Sequence, residues 1–440
     1  MPNQARVTPL VENLREARQR TLQLVADLDD IQMVGPRLAI VNPLRWEIGH
    51  IAWFEEYWLL RHVCARPPIR SDGDAMYDSA KVAHDTRWDL RLPSKIDTEA
   101  YMTRVLDDVS EEFNAKGLVT TEQQKTAEYF LSLALFHEDM HDEAITYSRQ
   151  TLNYPSPQLT AIDGIAVMGA YNGSRIENSD VFIPGGSFEL GNTTSAVFAF
   201  DNEQQPFLVM IQPFRMSRTA TTNAEYAAFV DDNGYQRKEL WSLEGWDWRK
   251  SSGAQHPVYW NSDGTSWWRR NFNDLVPLEP SLPVLHVNWY EADAYCRWAG
   301  RRLPTEAEWE MAASAEPGSG LKRRFPWGND APTPQRANLD SRAMGCIDVN
   351  ALPDGDSAYG CRQMIGNTWE WTSSDFVPYP GFVAGPYKEY SAPWFGNHKV
   401  LRGGCWVTRS RLIHNTYRNF YTPDRCDVWA GFRTCSLTSD

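Results

Sequence analysis

The chain has 440 residues, 43 Lys plus Arg against 57 Asp plus Glu, a net charge of −14, and 19 Trp. At roughly 150 residues per domain it holds two or three domains, and a core of that size needs no disulfide or metal staple to fold. The acidic balance argues against a nucleic-acid binder, which neutralises phosphates with Lys and Arg, and against a polybasic membrane patch.

Residues 1–20 are charged throughout and hold no apolar stretch of the kind an export signal needs. No apolar run approaches the ~20 residues of a membrane helix. The seven scattered Cys then read as reduced thiols, and the chain is expected in the cytoplasm. Helical periodicity marks the first third. Leu10, Leu14, Arg18 and Thr21 begin a helix with charged faces. A second covers 46–63, opened by Asn42-Pro43, with Asn as cap and Pro in the first turn. A loop over 66–94, rich in Asp, Arg and aromatics, leads to a third helix at 98–116 and a fourth at 121–152. Thr120 or Thr121 caps the fourth, Glu122 and Glu128 lie near its positive end, and the prolines of Asn153-Tyr154-Pro155-Ser156-Pro157 stop it. Four helices with one long connection make a four-helix bundle over 1–157.

Residues 158–180 read as a connector with one strand at 166–171. Over 181–440 Gly and Pro punctuation is frequent and strands are short. Helical stretches stand out at 222–233 and 290–299, and a short third follows Thr305, which forms a capping box with Glu308. The fold class is therefore α+β. Most of the Trp residues lie beyond 240, as suits a loop-rich core filled by large rings.

The main chemical signal is Phe136-His137-Glu138-Asp139-Met140-His141-Asp142-Glu143 in the fourth helix. His137 and His141 are four apart and share one helix face, so both can reach one metal. His50, in the second helix beside Gly49, is the candidate third ligand; Gly costs helix stability, which points to close packing there. The plainer alternative is a solvated pair, with the acidic residues at 138, 139, 142 and 143 forming a wet face. Glu138 follows the first His as in zinc hydrolases, but their further signatures are missing. Three imidazoles leave coordination positions open, and imidazole suits zinc and iron alike, so the spacing does not choose the metal.

Two further groups carry charge. The loop from Arg70 to Asp89 holds Arg87, either a grip for an anion or polyol or part of a capped loop with surface ion pairs. In the second half, Gly186-Ser187-Phe188-Glu189-Leu190-Gly191, Arg301-Arg302-Leu303-Pro304-Thr305-Glu306-Ala307-Glu308-Trp309-Glu310, Gly366-Asn367-Thr368-Trp369-Glu370-Trp371, Leu401-Arg402-Gly403-Gly404-Cys405-Trp406 and Gly431-Phe432-Arg433 each mix an aromatic ring and charge, all but the second with Gly as well. Their default meaning is structural: tight turns, core rings and buried ion pairs that hold loops.

These blocks resemble the sulfatase-modifying-factor domain, the C-type-lectin-like fold of the formylglycine-generating enzyme, over roughly residues 180 to 436. That enzyme needs a Cys pair near its C-terminal strands, where this chain has Tyr417-Arg418-Asn419-Phe420-Tyr421. Thiol–copper oxidation is therefore not expected. The first part, with His50, His137 and His141, resembles a DinB-type bundle. Joined in this order, the two are similar to the ergothioneine sulfoxide synthases, which are nonheme iron enzymes.

The resemblance implies a set of roles. His50, His137 and His141 would hold Fe(2+). The substrates would be O2, hercynine (the trimethylammonium betaine of histidine) and a chalcogen donor joined oxidatively to C2 of its imidazole. Arg418, Asn419 and Phe420 match the motif that grips the betaine, and an aromatic face suits a quaternary ammonium, which cannot hydrogen-bond. A proton donor to reduced oxygen would be Tyr379 or Tyr421. Some members carry Gln before the second ligand of helix four and Trp-Asp after Arg-Asn; this chain has Met140 and Phe420-Tyr421. The segments 42–50 and 77–88 look closer to a sister branch, the selenoneine synthases, in which the donor is a selenosugar and Arg87 would face the sugar. With cysteine or glutamylcysteine as donor the bond would be C–S. Two rivals stand beside this reading: a zinc-dependent thiol transferase or hydrolase, and a lectin-like binding module without catalysis.

Overall fold

The computed structural model describes residues 4–115, 120–160, 179–193 and 198–438. They fall into two compact units, Met1–Thr160 and Ala161–Asp440. The strand expected at 166–171, and most of the connector around it, lie outside the described residues. Among the described residues no helix is long and apolar enough to cross a membrane. The seven cysteines carry free thiols.

The first unit is helical: α1 (Gln4–Val25), α2 (Leu44–Glu55), α3 (Gly73–Tyr77), α4 (Lys95–Ala115) and α5 (Thr121–Thr151). α1 packs on α4 and α5, and α2 packs on the same two helices. Leu14, Ile51, Val105 and Leu131 are buried between them. Thr120 caps α5, its hydroxyl accepting from the Gln123 N–H while the Gln123 side chain returns a bond.

Several local expectations are corrected. The first helix begins at Gln4, not near Leu10, with Pro9 inside it. The second helix is not α throughout, because α2 passes into a π-helical stretch over Glu56–Val63. Buried Glu56 lies in that stretch and accepts from the Tyr101 hydroxyl at 2.6 Å. Asn42 is not the cap of α2. Pro43 holds that position, and the Asn42 side chain reaches Glu47 and Arg87. The 66–94 loop contains α3 and one 3-10 turn, His84–Thr86.

The acidic residues of α5 do not form a wet face. Glu138, Asp139, Asp142 and Glu143 are all buried. Arg18 of α1 explains Glu138: its Nε donates to Glu138 Oε1 at 2.9 Å and its Nη2 to Glu55 Oε2 at 2.5 Å. A buried guanidinium with two carboxylates thus ties α1, α2 and α5 together.

The second unit is loop-rich. Its strands are β1 (Asp180–Ile183), β2 (Gly186–Leu190), β3 (Phe207–Ile211), β4 (Phe214–Ser217), β5 (Trp260–Ser262), β6 (Trp267–Asn271), β7 (Asp274–Pro277), β8 (Arg301–Arg302), β9 (Trp369–Asp375), β10 (Lys399–Arg402), β11 (Asn419–Tyr421), β12 (Ala430–Gly431) and β13 (Cys435–Ser436). One sheet has the order β1-β4-β13-β8 and another β11-β10-β9-β12, where β12 runs parallel to β9. Helices α6 (Asn223–Asp231), α8 (Trp289–Trp298) and α9 (Glu306–Ser314) fall where the pattern places them. Helix α7 (Leu243–Ser252) was not expected. Only Gly245 in it is buried, so it has no apolar stripe to read.

The spaced blocks are indeed structural. Arg433 pairs with Glu370 at 2.6 Å, Arg302 with Glu308 at 2.7 Å, and Arg402 with Glu310, the last pair fully buried. The Trp309 indole also donates to Glu370, at 2.7 Å. Gly403 has φ +96°, and a Cβ there would lie 2.5 Å from the Met364 carbonyl, so the turn requires glycine.

Candidate metal centre

Helix α2 supplies His50 and α5 supplies His137 and His141. Their ligand atoms lie within 4.8 Å of one another. His50 and His137 are buried and His141 is half-buried. The Nε2 atoms of His137 and His141 are 3.1 Å apart. Two nitrogens, each about 2.1 Å from one shared ion and at right angles, would sit about 3 Å apart. The spacing therefore fits adjacent ligands on one metal.

The partners of these rings fix their tautomers. His50 Nδ1 lies 2.7 Å from the Tyr77 carbonyl, which can only accept, so Nδ1 carries the proton and Nε2 keeps its lone pair. His141 Nδ1 lies 2.6 Å from Glu47 Oε1, with the same consequence. Burial, then the neighbouring imidazole of His141, pulls His50 down to about 3. Burial and the other two imidazoles hold His137 well below its ordinary range. Both are neutral at pH 7, as a metal requires. Burial alone would raise Glu47, but His141 and its hydrogen bond outweigh it and bring the carboxyl to about 2.

Aromatic walls hold the rings in place. Trp46 stacks on His50 at 4.8 Å and 8°, and Phe54 lies flat on His137 at 3.5 Å and 3°. Gly49 admits the Tyr77 ring: a Cβ there would fall 2.3 Å from Tyr77 Cε1. That meets the expectation of close packing at Gly49. Glu138 is bonded to Arg18 and Thr21, so it is not placed as the general base of a zinc hydrolase.

Glu47 was not foreseen as part of this centre. Its signal was present, since it precedes His50 by three residues and so shares a helix face with it. Arg87 is also buried. Its Nη1 donates to Asn42 Oδ1 at 2.6 Å, and its guanidinium carbon sits 3.8 Å over the Trp46 ring. The loop around it carries the ion pairs of the plainer reading, among them Arg70–Asp72 at 2.8 Å and Lys81–Asp78 at 2.7 Å.

The other expected site residues belong to the second unit. Arg418 is fully buried: Nε donates to Glu306 Oε2 at 3.0 Å, Nη1 to the Asn202 carbonyl at 2.7 Å, and Nη2 to Glu306 Oε1 and the Val377 carbonyl, each at 3.2 Å. Tyr379 lies against it, 4.1 Å from the guanidinium carbon to the ring centre. The buried Tyr379 hydroxyl has no hydrogen-bond partner among the described residues. Burial pushes this phenol well above its ordinary value, and it stays protonated. Asn419, Phe420 and Tyr421 form β11 at the edge of its sheet, half-buried. The Phe420 ring stacks on Phe376 at 4.0 Å, and Arg425 lies 5.0 Å over Tyr421.

Comparison with known proteins places this architecture. The DinB superfamily model matches residues 13–145, a span that holds all three histidines. The sulfatase-modifying factor enzyme 1-like domain matches residues 171–437. The hercynine oxygenase of Mycolicibacterium smegmatis is 37% identical over 434 residues, covering 96% of this chain and 97% of that protein. The chain belongs to the hercynine oxygenase family. The hercynine oxygenase of Mycobacterium tuberculosis is 35% identical, again over 96% of this chain and 97% of its own length. The formylglycine-generating enzyme of Streptomyces coelicolor is 32% identical but covers only 65% of this chain, against 96% of itself. In this chain the three imidazoles lie within the DinB match and outside the residues matched by the sulfatase-modifying factor enzyme 1-like domain.

Proposed function

We propose that the chain is an O2-dependent nonheme iron(II) enzyme that joins a selenosugar, through selenium, to C2 of the hercynine imidazole. The observation that carries this reading is the cluster of three imidazoles in a chain similar from end to end to hercynine oxygenases. Held by His50, His137 and His141, iron(II) would supply the reduction of O2. The bond account closes on that basis. C–H and Se–H are lost and C–Se forms, which releases two electrons. Oxidation of selenium to the selenoxide gives two more, and O2 ends as one water and the selenium-bound oxygen.

The chain's own residues bind and orient. Phe420 offers an aromatic face to the trimethylammonium group. Arg418 is a positioning residue, because its bonds to Glu306 and two carbonyls brace the start of β11. Tyr379 is favoured over Tyr421 as proton donor because its hydroxyl keeps its proton and spends it on no neighbour among the described residues. The selenosugar reading draws support from the two segments that resemble the selenoneine branch. They pack together, Asn42 on Arg87 and the Tyr77 carbonyl on His50.

The second reading keeps the metal and hercynine but takes cysteine or glutamylcysteine and forms C–S. The names of the relatives favour neither chalcogen. A donor competition with hercynine under air, read by mass spectrometry, separates the two. A selenosugar adduct as main product supports the proposal, and a thiol adduct installs the second reading. Turnover without O2, or with zinc as native metal, overturns both.

A further inference from the structure

Arg87 stands behind two of the three imidazoles by two separate routes. Along the first, its Nη1 donates to Asn42 Oδ1 at 2.6 Å, Asn42 Nδ2 donates to Glu47 Oε2 at 2.7 Å, and Glu47 Oε1 takes the bond from His141 Nδ1 at 2.6 Å. The orientation of the Asn42 amide is forced, since a guanidinium only donates and a carboxylate only accepts. Along the second, the guanidinium lies 3.8 Å over Trp46, whose ring stacks nearly parallel on His50.

Arg87 is 8% exposed, and it makes no ion pair of its own among the described residues. Its Nη2 reaches the Val82 carbonyl at 3.3 Å, and its buried Nε has no hydrogen-bond partner among the described residues. A buried cation needs a compensating charge. The nearest such charge along its bonds is Glu47, one amide away. Glu47 is in turn the group that turns His141 and makes it the stronger donor.

We propose that Arg87 is a positioning residue of the metal centre, acting on His141 through Asn42 and Glu47 and on His50 through Trp46, before any substrate is bound. This rests on the reading of the three imidazoles as a metal site and deepens it. A grip on the donor by Arg87 would not require the residue to affect the empty, metal-loaded protein; this role does.

The test uses cobalt(II) alone, added to the full chain without hercynine or donor. Arg87→Gln and Asn42→Ala are each expected to weaken cobalt(II) binding by about 10-fold or more, within the range for such outer partners, and to shift the visible bands of the bound ion. The double variant is expected to lose less than the product of the two single losses, because both cut one route. Arg87→Lys, which keeps a cation and a donor, is expected to recover part of the affinity. If Arg87→Gln does not fold, Asn42→Ala, which leaves Arg87 in place, decides alone. Wild-type affinity and spectrum in the folded variants would overturn the proposal. The underlying metal reading fails by a different result: a wild-type chain that binds no cobalt(II), or His141→Ala binding it equally well.

Discussion

Gly49→Ala sets two effects of opposite sign against each other. Replacing Gly by Ala inside a helix normally stabilises by about 0.5–1 kcal/mol, through lost freedom of the unfolded chain. In α2 that gain meets an obstacle. The new methyl would lie 2.3 Å from Tyr77 Cε1, 2.4 Å from Cζ and 2.6 Å from the hydroxyl oxygen. Ordinary contact needs about 3.5–4 Å, so the ring must retreat by about 1 Å. Tyr77 is fully buried and has no room to yield. Overpacking of this kind costs about 1–3 kcal/mol. The clash therefore wins, and net destabilisation of about 1–2 kcal/mol is expected. The same shift carries the Tyr77 carbonyl away from His50 Nδ1, which it holds at 2.7 Å. Metal affinity should then fall about 10-fold or more, as when an outer partner of a ligand is lost. Urea unfolding of the metal-free chain, with cobalt(II) titration beside it, reads both quantities. A variant more stable than wild type, with unchanged cobalt(II) affinity, would refute the argument that Gly49 exists to admit Tyr77.

Two further outcomes follow from buried charge. Arg18→Met strands Glu55 and Glu138, each almost fully buried, and should cost about 3–5 kcal/mol at pH 7 by urea unfolding; a loss below about 1 kcal/mol would show that water reaches the pair. Glu291 of α8 is raised from 4.5 to about 7 by burial, against the opposing bond from Tyr235. The folded chain then holds a proton that the unfolded chain has released between those values. The associated stability is complete below pH 4.5 and lost as pH rises through 7, about 3 kcal/mol in all. Glu291→Gln should flatten that part of the stability–pH curve, and an unchanged slope would place the titration elsewhere.

The architecture and the clustering of His50, His137 and His141 were legible because they rest largely on local spacing. The i,i+4 pair in α5 puts two imidazoles on one face whatever surrounds it, and a Gly beside His50 marks a close approach. Capping boxes at Thr120, Thr222 and Thr305 likewise announce their helices. Helix α7 escaped because a helix with one buried residue leaves no periodic trace. Asn42 was misjudged for a related reason: its side chain suits a helix cap, and only the folded chain shows that Glu47 and Arg87 claim it.

The charged residues of the expected sites were the hardest to place, and the cause is sequence distance. Arg18 and Glu138 meet across 120 positions, and Arg418 and Glu306 across 112. Read locally, Glu138 belongs to an acidic helix face and Arg418 to a ligand grip. Both are instead satisfied inside the protein by partners that no window of sequence contains. A charge near a suspected site is therefore weak evidence for contact with substrate until its internal partners are counted. By that measure Arg87, whose one carboxylate lies beyond an amide, is bound less completely than Arg418. It is the cation of the two whose removal should be felt at His141 and His50.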